Sequence, residues 1–236
     1  MSDARPSDIT FVVVGCQRCG TTWTDAALRE HPQVFLPALK QTYFFDRNYD
    51  RGMEWYLQRF EGIQSNYGAV GEVATGYCLP QAVPLLASNL PDVKVIMIMR
   101  HPVDRAYSNF QSRRVEEGWS SFEEALDDDE DLRARGRYIE QIDLLMEHYQ
   151  RDRFLAVLYD DLNGDDRGFL KSILSFIDVD SDFESGLFER FFDQALERLA
   201  PDGRVVLLFS NVIQLVQPDV AHPILTELDQ GRFRLV

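Results

Sequence analysis

Short, continuous apolar runs alternate with amphipathic stretches along most of the chain. Thr10–Gly15 (TFVVVG), Val93–Met99 (VKVIMIM) and Arg153–Tyr159 (RFLAVLY) have strand length and little polar alternation, and Ala69–Val73 (AVGEV) is a shorter candidate. Runs of this kind suit strands buried on both faces, as in a parallel sheet. Between them, the spacing of apolar positions predicts helices over Thr21–Glu30, Gln81–Ser88, Pro102–Glu117 and Gly136–Gln150. Strand and helix signals in alternation predict an α/β domain with crossover helices. Arg204–Phe209 follows the turn signal Pro201-Asp202-Gly203 and fits either a late strand or a buried helix. There is no internal repeat or low-complexity linker, so a single domain over 1–236 is expected, with 162–236 unplaced.

Charge changes this picture in one respect. The chain of 236 residues carries 24 Lys+Arg against 39 Asp+Glu, a formal net charge of −15. Apolar residues make up 45%, which is the composition of a globular protein and not of a disordered one. Such an excess of acid argues against nucleic acid as a partner and against docking on anionic lipid. The imbalance is local: residues 1–120 hold 12 basic and 13 acidic side chains, and residues 121–236 hold 12 and 26. Anion chemistry is therefore expected in the first half. The nine acids of Glu116–Asp131 read as a solvated surface, because no glycine turn at calcium-loop spacing accompanies them. The opening MSDARPSD does not read as a signal peptide, no run approaches the length of a membrane span, and three cysteines cannot build a disulfide framework. A cytoplasmic location is the expectation.

The segment richest in chemistry is Phe11–Trp23, FVVVGCQRCGTTW. An apolar run enters Gly15, four residues follow, and Gly20-Thr21-Thr22 opens a helix. This is the strand–loop–helix layout whose backbone N–H groups and helix dipole hold phosphate. The spacing is that of a nucleotide P-loop, but Thr21 stands where the lysine of ATP and GTP hydrolases belongs. The later run VKVIMIM ends in Arg100-His101-Pro102 and not in an acidic magnesium ligand. A P-loop kinase is accordingly disfavoured and no metal is expected. Cys16-Gln17-Arg18-Cys19, a lone C-x-x-C inside such a loop, reads as small residues filling a tight turn, not as a zinc or redox site.

The loop GCQRCGTTW, together with Met99–Ser108 (MRHPVDRAYS), resembles the two signatures of sulfotransferases that use 3′-phosphoadenosine 5′-phosphosulfate (PAPS). The likeness is nearest to bacterial members and to the heparan-sulfate 3-O-sulfotransferase-like group. Phe44–Tyr56 and Gly71–Tyr77 resemble two further segments of that group, and order and spacing agree from Phe11 to about Asp161. The resemblance implies a P-loop-containing nucleotide-hydrolase-like three-layer α/β fold with a central parallel sheet. It implies PAPS as donor and 3′-phosphoadenosine 5′-phosphate (PAP) as product; the acidic second half, which would repel a sulfated polysaccharide, points instead to a small-molecule acceptor, neutral or cationic. The resemblance carries Arg18, Cys19, Gly20, Thr21, Thr22 and Trp23 onto the 5′-phosphosulfate, and Arg100 and Ser108 onto the 3′-phosphate.

The acceptor end departs from the pattern. Where the family has a Lys-Glu pair before Phe-Phe, with the Glu as general base, this chain reads Lys40-Gln41-Thr42-Tyr43-Phe44-Phe45. An amide cannot take the acceptor's proton at neutral pH. Arg18, Lys40, Gln41 and Glu72 form the expected catalytic set, with Glu72 as first substitute base and His101 as second. Two alternatives stay open: an amine or guanidine acceptor that needs little base, or a protein that binds PAPS or PAP without turnover. Tyr43 and Tyr49 are candidates for lining an acceptor pocket.

Overall fold

The computed structural model describes residues 4–64, 66–187, 205–209 and 212–216. The chain divides into two compact units, 1–183 and 184–236. In the first, the elements run β1 (Phe11–Gly15), α1 (Thr21–Glu30), β2 (Val34–Phe35), α2 (Phe44–Arg47), α3 (Gly52–Leu57), β3 (Ala69–Val73), α4 (Val83–Asn89) and β4 (Lys94–Met99). They continue with α5 (Pro102–Glu117), α6 (Phe122–Asp128), α7 (Glu130–Ala134), α8 (Tyr138–His148), β5 (Phe154–Leu158), α9 (Tyr159–Gly164) and α10 (Asp166–Phe176).

Five strands form one parallel sheet in the order β2-β3-β1-β4-β5. All of β1 and β3 is buried, as are Val95–Ile98 of β4, so the apolar runs are covered on both faces as their pattern requires. Strand β1 is central: the chain winds to β3 on one side and to β4 on the other. The carboxyl end of β1 is thus a topological switch point, where open α/β sheets leave a crevice for ligands. Close approach of β3 to β1 depends on Gly71, which pairs with Phe11; a Cβ there would collide with the Phe11 carbonyl oxygen and ring.

Local chemistry explains the helix bounds. Pro102 sits at the first turn of α5, and Gly118 ends it in the left-handed region at φ 77°. Asp165 caps α10 by accepting from the Gly168 N–H, and its buried stripe is Phe169, Leu170, Ile173 and Leu174. The acidic run becomes α6 and α7. Their buried residues Ala125 and Leu132 pack with Ala106, Phe110 and Trp119, while Asp129 and Asp131 pair with Arg113 and Arg135. In the second unit, Val205–Phe209 (β6) is a strand, antiparallel to Val212–Val216 (β7), which resolves the ambiguity of that run.

Candidate active site

The loop from β1 into α1 gathers the cations that the sequence pointed to. Arg18 adopts φ 69°, a left-handed conformation that non-glycine residues take rarely, and Gly20 follows at φ 80°. A Cβ on Gly20 would stand 2.9 Å from both Tyr159 and Leu162 side-chain carbons, so the loop lies directly against α9. Arg18 Nε donates to Ser108 Oγ on α5 at 3.1 Å. From the end of β4, Arg100 Nη1 donates to the Arg18 carbonyl oxygen at 3.5 Å, and its guanidinium lies 4.7 Å from the Tyr159 ring centroid. Arg18, Arg100 and Ser108 therefore converge. Ser108 is bonded to Arg18, a partner the motif spacing did not indicate.

Two guanidiniums held together repel. Burial, then the Arg100 charge, lowers the pKa of Arg18. Arg18 Nη2 is buried and has no hydrogen-bond partner. A buried, unsatisfied guanidinium donor beside a second guanidinium and the N-terminus of α1 suits an anion with several oxygens. The residues present thus fit the phosphates of PAP.

The loop is backed by α8. Tyr138 Oη lies 3.8 Å from Cys19 Sγ and accepts from the Arg100 N–H at 3.5 Å, and Cys16 Sγ donates to Gln141 Oε1 at 3.6 Å. Cys16, Cys19 and Cys78 are free and buried. Burial pushes the Cys16 thiol up, whereas a hydrogen bond with Cys16 lowers Cys19. Among the described residues no cluster of His, Cys, Asp and Glu could hold a metal. Thr21 is buried, Thr22 is exposed and accepts from Lys40 Nζ at 2.9 Å, and Trp23 packs edge-on against Phe169. Burial lowers the pKa of Lys40.

At the acceptor end, Gln41 stands at φ 61° and its Oε1 accepts from Thr75 Oγ1 at 3.0 Å. Glu72, the first candidate for a substitute base, is buried with both oxygens engaged. It is 1% exposed and accepts from Tyr56 Oη at 2.8 Å, the Thr42 N–H at 3.2 Å and Thr42 Oγ1 at 3.4 Å. Its geometry is that of a carboxylate anchoring the Gln41–Phe44 turn, a task shared by Tyr77 Oη, which accepts from the Phe44 N–H at 2.9 Å. Burial raises the pKa of Glu72 against these hydrogen bonds. His101 is exposed at the start of α5, with Nδ1 3.9 Å from Asp104. Tyr43 and Tyr49 are partly exposed, Tyr43 under the Arg47 guanidinium. Thr75, Tyr138 and Tyr159 were not marked by the sequence reading, because their roles arise only when segments far apart in the chain meet. Asp46 lies within Phe44–Tyr56, where the resemblance assigns it no role.

A strand-end clamp of guanidiniums at the switch point of a parallel sheet defines a candidate phosphate-binding site. The sulfotransferase domain model matches residues 8–198, and the chain belongs to that family, which uses PAPS as donor and releases PAP. Over 188 residues it is 28% identical to the bifunctional heparan sulfate N-deacetylase/N-sulfotransferase 1 of Caenorhabditis elegans, covering 72% of this chain and 22% of that protein. It is 35% identical over 103 residues to the membrane-associated sulfotransferase kil1 of Dictyostelium discoideum, covering 42% of this chain and 22% of that protein. The chain thus spans less than a quarter of the length of these curated relatives. In fold it is similar to a sulfotransferase from Alicyclobacillus acidocaldarius, with TM-score 0.68, 22% identity and 97% of each chain covered. It is also similar in fold to mouse sulfotransferase SULT7A1 complexed with PAP, with TM-score 0.58, 16% identity, and 99% of this chain and 86% of that one covered.

Proposed function

We propose that this chain transfers the sulfuryl group of PAPS to a hydroxyl or an amine or guanidine nitrogen of a small, neutral or cationic acceptor, such as a natural product of secondary metabolism. The observation that carries the reading is the Arg18–Arg100–Ser108 cluster at the carboxyl ends of β1 and β4. Arg100 and Ser108 take the 3′-phosphate, and Arg18 with the backbone of Cys19–Trp23 takes the 5′-phosphosulfate. PAPS supplies the activated sulfuryl group. The protein holds the reactants in line, and its guanidiniums and the α1 N-terminus stabilise charge that develops on the leaving phosphate.

The acceptor class follows from charge. A net charge of −15 disfavours a polyanionic glycan, nucleic acid or an anionic membrane surface. That the Caenorhabditis elegans relative is named an N-sulfotransferase supports nitrogen as one of the acceptor atoms. A cytoplasmic location is supported by three free cysteines, and no described helix is long and apolar enough to cross a membrane. Gln41 in the base position favours a second reading, a protein that binds PAPS or PAP without turnover.

Calorimetry with PAP, adenosine 5′-phosphate and ATP tests the clamp, and label transfer from ³⁵S-PAPS to a panel of alcohols, amines and guanidines tests turnover. The expected result is tight PAP binding that depends on the 3′-phosphate, plus labelled product. ATP binding as tight as PAP would overturn the reading, and PAP binding with no label transfer would favour the binder.

A further inference from the structure

Asp46 is a carboxylate with no task in the clamp. It lies on α2 with its side chain 6% exposed, and Oδ2 is 3.7 Å from Arg47 Nε. Its other oxygen, Oδ1, is buried and accepts no hydrogen bond. Glu72, by contrast, has both oxygens engaged. An unsatisfied buried carboxylate oxygen is costly to keep, so its retention calls for a hydrogen-bonding task.

Its surroundings place it at the reaction end of the sheet. Gly76 lies against it so closely that a Cβ there would collide with Oδ2. The preceding residue, Thr75, holds Gln41, and the Thr75 carbonyl oxygen lies 3.5 Å from where a Cβ on Gly15 would stand. Asp46 is therefore one residue removed from the anchor of Gln41, and that anchor's carbonyl oxygen in turn approaches the end of β1. The Arg135 charge also bears on Asp46. Gly136 packs on Pro102, and Tyr138 touches Arg100 and Cys19. Thr75 donates to the side-chain Oε1 of Gln41, which leaves the Gln41 amide N–H groups as its remaining donors.

We propose that Asp46 accepts the proton of the acceptor in sulfuryl transfer, while Gln41, fixed by Thr75, orients the acceptor's nucleophilic atom. This rests on the sulfotransferase reading above. The acceptor O–H or N–H bond breaks and its proton passes to Asp46 Oδ1. The freed electron pair forms the bond to sulfur. The bond from sulfur to the bridging oxygen breaks, and its pair leaves on the 5′-phosphate of PAP. The amide at position 41 is then no defect: the base has moved to the next helix, and position 41 has become a hydrogen-bond donor.

Burial raises the pKa of Asp46, and three effects oppose it: the Arg47 charge on its own helix, a hydrogen bond from the Asp46 backbone N–H to its own carboxylate, and the charge of Arg135 after α7, which is itself paired with Asp131 at 2.5 Å. A base must be deprotonated, so activity falls as pH drops through the Asp46 pKa, at a higher pH than for an ordinary carboxylate.

The test uses the whole chain with ³⁵S-PAPS, scoring labelled sulfate released with water as acceptor and labelled product with primary alcohols and amines. Asp46→Asn should lose roughly a hundredfold or more in turnover and lose the acid limb of the pH profile. Its PAP affinity by calorimetry should stay within about threefold of wild type. Asp46→Glu should recover at least about tenfold over Asp46→Asn and keep a limb, and Gln41→Glu placed in Asp46→Asn should restore part of the turnover. Turnover of Asp46→Asn within about threefold of wild type, with its limb unmoved, would overturn the proposal. If Asp46→Asn does not fold, ¹³C-carboxyl titration of the wild type decides: no carboxyl resonance titrating with the acid limb refutes it. If the wild type neither prefers PAP over ATP nor releases label, the sulfotransferase reading itself fails. If it does both and only the Asp46 results fail, the reading stands and the base lies elsewhere.

Discussion

Arg18 Nε donates to Ser108 Oγ at 3.1 Å across ninety positions of sequence, tying the anion loop to α5 beside Arg100. The bond joins the two signature segments into one clamp and leaves Arg18 Nη2 buried without a partner. Arg100→Ala should weaken PAP binding roughly a hundredfold, the scale of a lost charge-assisted phosphate contact. Ser108→Ala should weaken it by about tenfold, with adenosine 5′-phosphate affected less than PAP if Ser108 faces the 3′-phosphate. Calorimetry with the two nucleotides measures both effects. Equal loss for the two ligands would move Ser108 to the 5′ side.

Glu72 should act on stability more than on turnover. Glu72→Gln keeps an oxygen for Tyr56 but turns N–H groups toward the Thr42 N–H, at a cost of about 1–3 kcal/mol. Burial raises its folded pKa, so the folded state holds the proton more tightly than the unfolded chain. The Glu72 contribution is therefore fully present below the ordinary value of 4.5 and is lost as pH rises from there through the folded pKa. Urea unfolding at a series of pH values should show a smaller decline across that window in Glu72→Gln than in wild type. Label-transfer rates of the two proteins, compared where both are folded, should differ little.

The parallel sheet gives a prediction independent of function. Gly71 has the backbone of β1 where its side chain would be, with Phe11 ring carbons 2.7 Å from the position of a Cβ. Gly71→Ala must push β3 from β1 or displace Phe11, in a core with no slack. The expected loss is about 3 kcal/mol in urea-unfolding free energy. An alanine variant as stable as wild type would show that the strands can separate at this register.

Much of this arrangement was legible because it depends on local pattern. β3, α1 and α5 have the bounds that apolar runs, Pro102 and Gly118 predict, and Arg18, Arg100 and Ser108 are tied to motifs at strand ends. α10 was equally readable in principle, from its Asp165 cap and its apolar spacing. β2 was not, since two residues carry no period and form a strand only by pairing with β3. The roles of Glu72 and Asp46 could not be read from sequence. Position 72 lies near the carboxyl end of β3, which suggested a base, but Tyr56 and Thr42 close over it from sixteen and thirty residues away. Asp46 is distinguished only by the missing hydrogen bond of one buried oxygen.

Lys40 separates binding from chemistry. Its Nζ donates to Thr22 Oγ1 at 2.9 Å, at the second residue of α1, where the helix N-terminus meets the anion loop. It is not bonded to Arg18, Arg100 or Ser108, so its removal should leave the nucleotide clamp intact. If its ammonium stabilises charge on the bridging oxygen as the sulfuryl group departs, Lys40→Met should lower kcat by roughly 10²-fold, with PAP affinity changed by less than about threefold. Burial lowers the Lys40 pKa from its ordinary value of 10.5, so the charged form is lost earlier on the alkaline side than for a free lysine. The wild-type rate should accordingly fall at alkaline pH through that lowered pKa, and Lys40→Met should lack this limb while keeping the acid one. Lys40→Arg should restore the charge without the limb, because a guanidinium does not titrate there. Loss of PAP affinity equal to the loss of kcat would instead make Lys40 a ground-state contact.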